Sequence, residues 1–196
     1  MSRAGTGSTV HDVPVGRWGG IGLGKSQSPM RSKHGARMGC MPDQSIPTLY
    51  EWAGAMAALR KLTAAFYQKV PNDTLIGPLF AEMAPDHPER VAQFLAEVLG
   101  GPAEYSRQRG GHATMVTHHL GRRLTEAQRK RWMDLLLETA DEVGLPSDPE
   151  FRSAFVGYIE WGTRLAVINS QENAPASANQ PMPKWGWGEA KGPYQP

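Results

Sequence analysis

Cysteine is nearly absent from this 196-residue chain, Cys40 being the only one. No intrachain disulfide can form, and a thiolate metal cluster has no ligands. That scarcity fits a reducing compartment, so a cytoplasmic location is expected. Long apolar runs are missing as well. No segment approaches the roughly 18 apolar residues that span a bilayer, and the N-terminus lacks a basic stretch followed by an apolar run of signal-peptide length. A soluble protein with no membrane partner is the expectation. Alternating β-branched runs are also absent from residues 46 to 171, which excludes a sheet-based core there.

What is present suits one globular domain with tails: 40% hydrophobic and 20% charged residues. The charge is unevenly placed. Residues 1 to 44 hold six Lys/Arg against two Asp/Glu, so they carry +4 while the remainder carries −2. A basic Gly/Ser-rich arm can touch nucleic acid or acidic lipid, but this composition more often makes a solvated end. Residues 1–44 are therefore expected to be a disordered extension, and no nucleic-acid partner is assigned. Residues 172–196 contain five prolines and no apolar period, which predicts an extended tail from which Trp185 and Trp187 can dock. The folded domain is expected over residues 45–171.

Within the extension, GGIGLGKS satisfies the phosphate-loop pattern at Gly19, Gly24, Lys25 and Ser26. A working loop needs a buried strand before it and a helix after it. Upstream, HDVPVGRW has a proline and too few apolar residues for a central strand; downstream, QSPMRSKHGARMG has a proline and two glycines where a helix is required. The match is therefore read as accidental. Met41 precedes PDQSIPTLYEW, where the helical pattern begins, and is expected to be the natural start.

The rest reads as helices. Leu49, Trp52, Met56, Leu59, Leu62, Phe66 and Val70 recur three or four apart, on one helix or two successive ones. Asp86 with Glu89 predicts a capping box opening a helix to about Leu99, which Gly100-Gly101-Pro102 stops. Thr125 with Gln128 predicts another, before a stripe of Trp132, Leu135, Leu136, Thr139, Ala140 and Val143 that ends at Gly144. Ser147 with Glu150 repeats the signal ahead of the last amphipathic helix. The fold class is all-α.

Three of the six histidines cluster in GGHATMVTHHLG: His112, His118 and His119. His112 and His119 are seven apart and share a helical face, but a closed zinc site takes four ligands. A single axial histidine under haem needs only one neutral imidazole facing an apolar cavity. Phe66, Tyr67, Phe80, His87, Val91 and Trp132 could wall such a cavity, although each alone is equally core packing.

Together these residues resemble the group II truncated haemoglobins, globins with a two-on-two helical sandwich. The resemblance covers about residues 46 to 171 and rests on AAFYQKV, PLF, QFLAEVLGGPAEYS, GGHATMVTHHLGRRLTEAQRKRW and GYIEWGTRLAVINSQ, in family order. It implies haem b as cofactor and His119 as the iron ligand, because the family's ligand stands thirteen residues before the tryptophan that maps to Trp132. It also implies a pocket containing Tyr67 after Phe66, Phe80, His87, Val91 and Tyr105. Many relatives have an arginine just before the iron ligand where this chain has His118, so pairing with a haem propionate is expected to fall to residues such as Arg107. The implied activity is binding of oxygen and other diatomic ligands, for delivery or for redox chemistry on oxygen, nitric oxide or peroxide with a reductase. Whether the protein is an enzyme stays open, as do monomer and homodimer. The alternatives are a haem-free interaction module and a haem-based gas sensor.

Overall fold

The computed structural model describes residues 45–174 and 180–193. The expectations for residues 1–44, GGIGLGKS and Met41 included, lie outside the described residues. Among those described there are seven α-helices and no strand. The helices are α1 (Leu49–Trp52), α2 (Ala55–Lys69), α3 (His87–Val98), α4 (Glu104–Arg109), α5 (Gly111–Thr117), α6 (Glu126–Glu142) and α7 (Pro149–Asn169). None is long and apolar enough to cross a membrane.

The apolar series from Leu49 to Val70 resolves into two helices. Thr48 and Glu51 form a reciprocal capping box that starts α1, and Gly54, at φ 98°, breaks the chain before α2. The box at Thr125 and Gln128 is formed as expected, with both hydrogen bonds present. The expected box at Asp86 is not. Asp86 makes no cap bond; its carboxylate pairs instead with Arg90 at 2.8 Å and Arg109 at 3.0 Å, while Glu89 pairs with Arg60. Two guanidinium groups, which donate charge-assisted bonds, outcompete a neutral amide for the same oxygens. The α7 cap also differs: Asp148, not Ser147, accepts from the Phe151 amide, at 2.9 Å. Pro149 then takes the first helical position, where its missing N–H and fixed φ cost nothing.

The helices form two stacked pairs, as α2 packs on α3 and α6, and α6 packs on α7. Between them lie Leu59, Leu62 and Phe66 of α2, Leu95 and Val98 of α3, Leu136 of α6, and Phe151 and Phe155 of α7, all buried. Each such side chain contributes about 1.5–3 kcal/mol of burial. The chain turns from α3 into the short α4 after Gly100, and from α4 into α5 at Gly110 and Gly111, all three at positive φ. Residues of α5, and His119 just beyond it, line a cavity.

After residue 174 the next described segment, 180–193, lies against the domain. The Trp185 amide donates to the Val98 carbonyl at 2.8 Å. The Trp187 indole donates to the Pro47 carbonyl at 2.7 Å, and its ring meets Trp52 edge-on at 6.2 Å.

Candidate functional site

A cavity of about 470 Å³ opens where α3, α5, α6 and α7 converge, within the size range of cofactor pockets. Eight of the ten sequence-predicted site residues line it: Tyr67, Phe80, His87, Val91, Tyr105, His118, His119 and Trp132. Phe66 and Arg107 do not. Phe66 is fully buried behind the wall, with its ring edge-on to Tyr67 at 4.8 Å and to Trp132 at 5.1 Å. Arg107 is turned to its own helix, donating through Nε to the Ala103 carbonyl at 3.2 Å on an exposed face.

Three other arginines stand on the cavity wall: Arg90, Arg122 and Arg129. Sequence reasoning passed over them, although the signal was available. Each lies three residues from a pocket residue (His87, His119 and Trp132 respectively), about one helical turn away. Arg90 is tied to Asp86. Arg122 donates through Nε to the His118 carbonyl at 2.6 Å. Arg129 is the buried one, its side chain 3% exposed, held by Glu126 at 2.8 Å and Glu160 at 2.5 Å. It links α6 to α7 across the cavity floor.

His119 follows the end of α5, whose last turn supplies its partner. Its Nδ1 is 2.9 Å from the Met115 carbonyl, an acceptor, so Nδ1 carries the proton and Nε2 keeps its lone pair. Burial lowers its pKa, opposed in part by the Met115 bond. The imidazole is therefore neutral and oriented, as a metal-ligating histidine must be. His118, its neighbour, is exposed. Zinc on His112 and His119 gains no support: among the described residues no three His, Cys, Asp or Glu are grouped to hold a metal ion.

A second polar set stands at the end of α2 and the start of α3. His87 Nε2 is 3.1 Å from the Tyr67 hydroxyl, and their rings meet edge-on at 4.8 Å, with Phe80 edge-on to Tyr67 at 5.6 Å. Burial pushes the Tyr67 phenol up, and the Trp132 indole pulls it part of the way back. Burial, then the charge of Arg90, lowers His87 to about 4. Both groups are neutral at ordinary pH. The cavity thus offers an apolar wall, one tethered imidazole and a small cluster of neutral hydrogen-bonding groups. His112 adds one more polar atom, a buried Nδ1 with no partner, on a ring stacked over Phe94 at 6.5 Å.

A two-pair helical sandwich over an apolar cavity, with a single imidazole held by backbone, is the arrangement of a globin. The chain belongs to the bacterial-like globins, whose family model matches residues 48–158. It is similar to the group 2 truncated hemoglobin YjbI of Bacillus subtilis, with 30% identity over 128 residues covering 65% of this chain and 94% of the relative. Among solved structures it is similar to the hemoglobin of the thermophilic phototroph Chloroflexus aurantiacus, at 29% identity and TM-score 0.55, covering 61% of this chain and 97% of that one. The truncated oxygen-avid haemoglobin of Bacillus subtilis matches at 27% identity and TM-score 0.55, covering 62% and 99%.

Proposed function

We propose that the protein holds haem b through His119 and binds oxygen and other small diatomic ligands reversibly. The observation that carries this reading is the His119–Met115 bond, which commits Nδ1 and leaves Nε2 free in an apolar cavity. One neutral imidazole facing an apolar cavity is the ligand such a site would ask of the protein. When bound, haem supplies an iron with one position open to a diatomic ligand.

The chain's own residues do the rest. His119 would hold the iron through Nε2 while the Met115 carbonyl fixes the ring. Val91 and Phe80 keep the cavity apolar and exclude water. Arg122 and Arg90, rather than Arg107, bring guanidinium groups to the cavity for the haem carboxylates. Tyr67 O–H and Trp132 N–H are the donors for a ligand that carries partial negative charge. His87 selects how the Tyr67 proton is used. With Nε2 bare it accepts from Tyr67; with Nε2 protonated it donates, and the phenolic proton is free for the ligand.

The test is reconstitution. The purified chain with haem added should become red with a Soret band, and its ferrous form should give an oxygenated spectrum that reverses when oxygen is removed. A folded chain that rejects haem overturns the proposal. Mixing the oxygenated form with nitric oxide in the presence of a reductant then separates carriage from catalysis, since sustained turnover marks an enzyme.

A further inference from the structure

Residues 180–193 lie past the family match, which ends at residue 158, yet the segment meets the cavity wall from outside, with the Gln180 backbone at His112 and, by ring packing, Trp185. The Trp185 ring packs on Tyr158 at 5.7 Å, edge-on, and on Trp161 at 5.7 Å, tilted. Tyr158 and Trp161 in turn contact each other at 6.1 Å, and both line the cavity. Trp185 also lies close to the α7 backbone, since a Cβ at Gly157 would stand 3.6 Å from Trp185 Cζ2, an ordinary contact. Trp161 is 40% exposed, so Tyr158 and Trp185 are its aromatic supports. The segment is pinned separately through the Trp185 amide to Val98 and through Trp187 to Pro47. Neither Trp187, Pro47 nor Trp52 lines the cavity.

We infer that Trp185 is a positioning residue for the cofactor cavity: it holds the Tyr158–Trp161 turn of α7 in place as the cavity wall. The inference rests on the proposed haem site, but its mechanism is packing. A turn of helix backed by a third aromatic ring keeps its side chains in one arrangement, while the same turn left bare on its outer face moves. The C-terminal segment thereby becomes part of the pocket without touching what the pocket holds.

The experiment compares full-length Trp185→Ala, Trp185→Phe and Trp187→Ala with wild type. Haem-loaded protein is mixed with excess apomyoglobin and haem transfer is followed. Trp185→Ala should lose haem about 2- to 12-fold faster, the factor carried by one aromatic pair. Trp185→Phe should restore the wild-type rate, and Trp187→Ala should leave it unchanged. In parallel, amide exchange is measured without haem, where Trp185→Ala should speed exchange over residues 158–166 and leave α6 as it was. Wild-type haem loss and wild-type exchange in Trp185→Ala would overturn the inference, and so would equal haem loss in Trp187→Ala, which would mean general loosening. A wild-type chain that takes up no haem defeats the functional proposal, and the exchange comparison then decides this one.

Discussion

Tyr67 and His87 share one hydrogen bond between two groups that both stay neutral, and Trp132 stands beside them as a pure donor. In the ferrous haem protein, Tyr67→Phe and Trp132→Phe should each speed oxygen release by about 2- to 12-fold, the worth of one hydrogen bond; stopped-flow displacement reads this directly. His87 carries a pH prediction as well. Its pKa of about 4 lies below the ordinary 6.5, so between those values the unfolded chain binds a proton that the folded chain refuses. Stability contributed by neutral His87 is thus complete above about pH 6.5 and is lost as pH falls towards 4. In the haem-free chain, thermal unfolding followed over that range should fall less steeply for His87→Phe than for wild type. Some slope should remain, because His112 and His119 are shifted in the same direction by burial. At this scale the sequence was informative about residue type and spacing but silent about direction. The family resemblance pointed to Tyr67, Phe80, Trp132 and His119, and these residues line one cavity. Residue type could not tell that Arg107 bends back to its own helix while Arg109, two positions on, reaches Asp86.

The helix starts show why local signals succeed in one place and fail in another. Thr125 and Gln128 have no strong rivals nearby, so the local box forms. Asp86 and Glu89 carry full charges, and Arg60, Arg90 and Arg109 reach them from three separate helices. A pattern read within four residues cannot anticipate partners 23 to 29 positions away. The two sites should respond differently to substitution. Thr125→Ala removes a real cap and should cost about 0.5–2 kcal/mol in thermal or denaturant unfolding. Asp86→Ala removes only solvent-exposed ion pairs and should cost less than Thr125→Ala, with a loss that shrinks in high salt. An equal, salt-independent cost at both positions would contradict this assignment. The break at Gly54 was legible only as an alternative, because an unbroken apolar stripe is compatible with one helix or two.

Across the whole molecule, the all-α sandwich was legible because its apolar periods are long and uninterrupted by strand patterns. Less legible was the role of residues 180–193. Proline-rich composition describes a segment without regular structure, and says nothing of whether its tryptophans find a surface. Here they find one, formed by α1, α3 and α7 together, which no local window contains. The same whole-molecule logic places Arg129, whose burial depends on Glu160 arriving from α7. All these layers converge on one atom, His119 Nε2, left free by the bond to Met115. The most direct test is therefore the absorption spectrum of His119→Gly after haem addition, beside wild type and with free imidazole supplied. The account predicts that the wild-type Soret band is weakened or shifted in the variant and recovers when imidazole fills the vacated place. A His119→Gly protein whose spectrum matches wild type without imidazole would contradict it.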